Sequence, residues 1–74
     1  MTTAEHIRNL NLPDNKIVRK LRRDGWEDGI IIAALFGYEL EWNTKRIFSA
    51  LVDGGWNYRR IFAAAVAAEL DIVG

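Results

Sequence analysis

The stretch RKLRR places Arg19, Lys20, Arg22 and Arg23 within five residues. Guanidinium and ammonium groups at this density suit phosphate oxygens, so a polyanionic partner is the first chemistry to consider. The same pattern fits the water-facing side of an amphipathic helix whose other side is Ile17, Val18 and Leu21. Two further pairs, Lys45–Arg46 and Arg59–Arg60, stand where helices are expected to begin. The positive end of a helix disfavours cations, and their placement there twice again points toward an anionic partner.

Other chemistries lack their parts. In DGWEDG, Asp24, Asp28 and Gly29 occupy positions 1, 5 and 6 of a calcium loop, but position 3 is Trp26 and position 12 is Leu35. The stretch reads better as one helix ending and another starting. His6 is the single histidine and cysteine is absent, so neither a zinc site nor a thiol nucleophile can be assembled. The acids are scattered, and no glycine-rich phosphate loop or Ser-His-Asp arrangement occurs. The expectation is a non-enzyme, with no catalytic residue, cofactor or metal.

Ten basic residues balance ten acidic ones. That neutrality counts against a dedicated nucleic-acid binder and leaves room only for a local patch. Half the residues are hydrophobic and three are Trp, which excludes a disordered chain. At 74 residues the core is marginal, and without cysteine its stability must come from packing. The N-terminal MTTAEHIRNLNLP has no apolar stretch of the secretory kind. The longest apolar run, Ile30 to Phe36, is far too short for a membrane span. A soluble cytoplasmic protein is expected.

The elements that must position these residues are announced by repetition. At an offset of thirty, Ile17, Leu21, Gly25, Trp26 and Ile31 match Ile47, Leu51, Gly55, Trp56 and Ile61. A second echo relates WNTKRIFSA to WNYRRIFAA, fourteen residues on. The first echo is helix-end chemistry: Gly25 and Gly55 suit the left-handed position after a helix, with Leu21–Trp26 and Leu51–Trp56 as the accompanying apolar contacts. The second is helix-start chemistry: Asn43 and Asn57 are good N-caps, and Trp42–Ile47 and Trp56–Ile61 have the spacing of the hydrophobic staple. Trp26 and Ile31 repeat that spacing around Glu27, a poorer cap.

These signals predict an all-α fold, a single domain over residues 1–74 made of a compact bundle of four or five short helices. The helices are expected at about 2–9, 13–24, 28–36, 44–52 and 58–70, with DIVG as a tail. Residues 29–36, β-branched at their start, would also suit a buried strand; the Ala33–Ala34 pair and the match to RIFSAL favour helix. The third helix, apolar on nearly every side, should be the buried centre. The expected core is Ile17, Leu21, Ile31, Ala34, Leu35, Ile47, Phe48, Leu51, Ile61 and Phe62, with the three Trp over the corners.

The stretch LRRDGWEDGIIIAALFGYE resembles the start of a resolvase- or homeodomain-like helix-turn-helix domain, with Ala33 and Gly37 at its Ala-x-x-x-Gly turn. The resemblance implies a core over about 14–52 and an added helix over about 57–70. It also implies a recognition helix opening at Asn43, Thr44, Lys45 and Arg46, with Arg19, Arg22 and Arg23 as further DNA contacts. The chain has Asn43 where such turns usually carry a β-branched residue. The same region, through RDGW, Ala34–Leu35, Asn43, Ile47 and Leu51, is similar to ubiquitin-associated domains. Those bind a protein through the loop after their first helix, here near Gly25 and Trp26.

Two functions are therefore carried forward. One is a small DNA-binding regulator of bacterial or phage type. The other is a small helical protein-binding module, such as a phage-type inhibitor or adaptor on a host protein. For the second, Ile61, Ala64, Ala65 and Ala68 form an apolar stripe on the last helix, with Phe62, Val66 and Leu70 further round. The stripe is expected either to support a homodimer or partner contact or to fill a close crossing within the chain.

Overall fold

In the computed structural model the backbone is described for residues 2–73 and the side chains for residues 2–69. Five helices follow one another: α1 (Thr3–Asn9), α2 (Asp14–Arg23), α3 (Asp28–Phe36), α4 (Thr44–Asp53) and α5 (Tyr58–Val73). No strand occurs among the described residues, so residues 29–36 are helical. The expected DIVG tail is instead carried in helix as far as Val73. Nothing between Glu69 and Val73 supplies a glycine or proline stop.

Each link between helices is built the same way. A residue in the left-handed region comes first: Asn11 (φ 53°), Gly25 (96°), Glu41 (63°) or Gly55 (101°). An apolar residue follows, Leu12, Trp26, Trp42 or Trp56, and then the cap, Pro13, Glu27, Asn43 or Asn57. Four residues after each cap is an isoleucine, Ile17, Ile31, Ile47 or Ile61. Their amides donate to the cap carbonyls at 3.0, 3.0, 3.0 and 3.1 Å, and all four side chains are buried. Trp26, Trp42 and Trp56 pack on the core as the hydrophobic staple requires, whereas Leu12 stays exposed.

The two glycine links add the paired helix-end hydrogen bonds. Trp26 N–H donates to Leu21 C=O at 3.0 Å and Gly25 N–H to Arg22 C=O at 3.0 Å. Trp56 N–H donates to Leu51 C=O at 2.9 Å and Gly55 N–H to Val52 C=O at 3.0 Å. Asn43 Oδ1 accepts from Arg46 N–H at 2.8 Å and Asn57 Oδ1 from Arg60 N–H at 2.8 Å, the two side-chain caps. Pro13 and Glu27 give their helices no side-chain cap.

The link from α3 to α4 is longer, and its first residue departs from expectation. Gly37 has φ −61° and ψ 134°, so it is not left-handed; Glu41 takes that role. The added length lets Leu40 turn into the core.

Helix α3 packs against every other helix, with its most extensive contact to α5, while α2 packs mainly on α4. Both principal crossings are made close by glycine. A Cβ on Gly29 would lie 3.4 Å from the Ala67 Cβ, and one on Gly54 would lie 3.2 Å from the Val18 Cβ and 2.9 Å from the Ala50 carbonyl oxygen. The core holds Ile17, Leu21, Ile31, Leu35, Ile47, Leu51 and Ile61 as expected. Val18, Ile7, Ile32, Leu40 and Trp56 join it. Ala34 and Phe48 pack against it only partly buried, as do Trp26 and Trp42. Phe62 is a correction: it is 71% exposed, because α5 turns Ile61 and Ala64 inward and Phe62 lies on the opposite side. Helix α3 is central yet one-sided, since Ile30 and Phe36 stay exposed. No helix among the described residues is long and apolar enough to cross a membrane.

Gly25→Ala and Gly55→Ala should each lower stability by about 1 kcal/mol, because an L-residue is strained at these φ values although space is open around both. The Asp28–Arg60 pair joins the two links, so the double variant measures how far the losses couple. Denaturant titration of the three variants measures this; unchanged midpoints would contradict the helix-end role.

Candidate interaction surfaces

The cations divide into those that hold the fold together and those that face outward. Arg46 forms a forked pair with Asp14, Nε to Oδ2 at 2.8 Å and an Nη to Oδ1 at 3.1 Å. Arg60 does the same with Asp28 at 2.8 and 3.0 Å. Each guanidinium also lies over the indole of its own link, Arg46 at 4.0 Å from the Trp42 ring and Arg60 at 4.1 Å from the Trp56 ring. The echo of fourteen residues therefore extends to the acids, since Asp14 and Asp28 open α2 and α3 as Arg46 and Arg60 enter α4 and α5. Cations near these positive helix ends are balanced by a carboxylate from the neighbouring helix.

These pairs shift ionisation. Hydrogen bonds from Arg60 hold the Asp28 carboxyl below the ordinary carboxylate range, against the opposing effect of partial burial; the charges of Arg60 and of Arg22 add to the lowering. Hydrogen bonding to Asp14 and Asp28 raises the Arg46 and Arg60 guanidinium groups above their ordinary value.

Among the residues expected to meet nucleic acid, Arg46 is therefore engaged by Asp14 and Trp42, and the Asn43 carboxamide oxygen by the Arg46 amide. Arg22 is turned to its own helix end, donating to the Trp26 carbonyl at 2.8 Å and lying 3.3 Å from Asp28. Thr44 and Lys45 are exposed. Arg19 and Arg23 are exposed on α2, where Lys16 and Lys20 join them around one shallow concavity closed by Leu12. Lys16 escaped the sequence reading because it stands outside the RKLRR run, yet its spacing of three, four and seven residues from Arg19, Lys20 and Arg23 puts it on their face.

The other loop motifs also take structural parts. Asp24 pairs with Lys20 at 3.1 Å and Asp28 with arginine, so DGWEDG is a helix-to-helix link. No cluster of metal-binding side chains occurs among the described residues. His6 stacks on Trp26, ring centroids 5.7 Å apart. Gly25 and Trp26 serve the end of α2.

The stripe expected on α5 divides between the interior and the surface. Ile61, Ala64 and Ala68 are buried within the chain, with Ala68 and the Ala64 carbonyl against Gly29 of α3. They fill the intramolecular crossing, one of the two roles expected of the stripe. Ala65 is exposed and lines an apolar groove with Ile32, Phe36 and Gly37. The Leu70 side chain lies outside the described residues.

What α5 does present is aromatic. Tyr58 and Phe62 are each 71% exposed and stand one turn apart, with Val66 a turn further. Tyr58 shares a shallow concavity with Lys45, Phe48, Ser49 and Val52 of α4. Phe48 meets Phe36 edge to face at 6.3 Å, and Phe36 continues into the groove lined by Ala65. One apolar surface thus runs across α3, α4 and α5, and no described element covers it. Comparison with family models, curated proteins and solved structures finds no match for this chain.

Asp28 supplies the pH dependence. Folding lowers its pKa, so its pair with Arg60 contributes fully above the unfolded value near 3.9 and is lost as pH falls through the lower folded value. Both groups are about one-third exposed, so Asp28→Asn should cost only about 1 kcal/mol near neutral pH. That difference from wild type should begin to narrow below about pH 4 and close beneath the lower folded value. Unfolding measured across the acid range checks this, and a cost that persists at low pH would contradict it.

Proposed function

We propose that this chain is a small helical protein-binding module that takes a partner on the aromatic face of α3, α4 and α5. The observation that carries the reading is the exposure of Tyr58 beside Phe48 and Val52, with Phe36 edge to face on Phe48 and exposed Phe62 one turn along α5 from Tyr58. Isolated exposed apolar residues are ordinary on a soluble surface, but a contiguous group of aromatics usually marks an interaction site. Aromatic side chains bring large contact area at small entropic cost and recur as anchors of protein interfaces. Lys45, Asp53 and Glu69 stand among the lining residues, which matches an apolar centre with a polar rim.

The outward side of α4 supports DNA reading less well. It offers Thr44, Lys45 and Ser49 with Phe48, Val52 and Asp53 among them, whereas recognition helices bring several donors to base edges.

Phe62→Ser and Tyr58→Ser should leave the fold intact, because neither ring packs in the core, and should weaken partner binding at least tenfold, about 1.4 kcal/mol or more. The measurement is affinity capture with nuclease treatment, followed by calorimetry of the purified pair. A protein partner whose affinity is unchanged by both substitutions would overturn the reading, as would capture that disappears with nuclease. A concentration-dependent dimer abolished by Phe62→Ser would identify the partner as a second copy.

A further inference from the structure

We propose that a second surface, the cationic ridge of α2, binds the phosphate backbone of nucleic acid without reading its sequence. The inference is independent of the aromatic face. Lys16, Arg19, Lys20 and Arg23 follow the i, i+3, i+4, i+7 pattern and line one concavity. Among the described residues, Lys16 and Arg23 make no ion pair, Arg19 only a 3.5 Å contact to the Asp53 carbonyl, and Lys20 alone has an acid, Asp24 at 3.1 Å. The ridge keeps a local positive excess within a neutral chain, because Asp14 and Asp28 are taken by Arg22, Arg46 and Arg60.

The geometry favours a polymer over a small anion. Seven residues of helix extend the ridge about 10 Å, and a duplex presents a charge about every 1.7 Å along its axis. No convergent cradle of donors surrounds a single point, as a phosphate site would need. A lipid surface is disfavoured for a separate reason. A membrane-binding amphipathic helix inserts its apolar side, and that side of α2, Ile17, Val18 and Leu21, is sealed in the core. Only Leu12 is apolar at the ridge. The ridge is a continuous row of cations with no Asn or Gln among them, the arrangement that suits backbone phosphates, whose contacts position a protein and carry no sequence information.

The test is fluorescence anisotropy with a mixed-sequence duplex of about 20 base pairs, titrated from low to moderate salt, where each phosphate contact contributes about 0.9 to the slope of log K against log salt. Wild type should bind at low salt with a slope of about 3 to 4. Lys16→Ala and Arg23→Ala should each reduce that slope by about one and weaken binding to all sequences alike. Both side chains are exposed, so circular dichroism should show an unchanged fold. Phe62→Ser should leave DNA binding as in wild type, which separates this surface from the protein-binding face. Undetectable duplex binding at low salt would overturn the proposal, as would a slope insensitive to Lys16→Ala and Arg23→Ala. Tighter binding to phosphatidylserine vesicles than to duplex would overturn it in favour of a membrane.

Discussion

Four times in 74 residues one helix must stop and another start in a new direction, with no disulfide to fix the angle. The constraint is met by a left-handed residue that reverses the chain and an isoleucine one turn into the next helix, joined at three of the links by a tryptophan that folds back on the core. The remaining packing depends on this. Ile17, Ile31, Ile47 and Ile61 enter the core at the point where each helix direction is set. Direction and burial are thus fixed by the same residues, which suits a chain too short for a large core. Asn11 and Glu41 fill the left-handed position without being glycine; Asn tolerates it, and Glu41 stands in the link whose extra length buries Leu40.

The arginines at the helix starts extend that logic to charge. Arg46 lies between Trp42 and Asp14, and Arg60 between Trp56 and Asp28. Each ties the residue before a cap to the first residue of the helix packed alongside. A guanidinium can do this because it stacks on an indole and forks to a carboxylate at once, which an ammonium cannot. The overall balance of charge therefore conceals two populations: cations neutralised inside the architecture, and the α2 ridge, which faces outward.

The links were legible in the sequence because they are local. Leu21–Gly25–Trp26 and Asn43–Ile47 lie within one turn of each other, and their spacing contains the physics. The acids were not legible as partners. Asp14 and Arg46 are thirty-two residues apart, and only the packing of α2 on α4 brings them together. The role of Arg46 consequently differed from the expected one, while Lys16 joined the ridge from outside the obvious run. Helix α5 is the instructive misreading. Its composition offers apolar residues on several sides, so periodicity alone could not say which would face inward.

Gly29 decides that question. With no side chain at that position, α5 approaches α3 until Ala67 and the Ala68 backbone stand at van der Waals distance from where a Cβ would be. A crossing this close admits Ala64 and Ala68 but has no room for a phenyl ring. Small residues are drawn inside, and Tyr58, Phe62 and Val66 are left on the far side of the same helix. Had the crossing been wider, a larger α5 residue would have been needed to fill it, and the aromatic rings were available. Tight packing at one face of α5 and an exposed aromatic surface at the other are therefore two results of a single close approach.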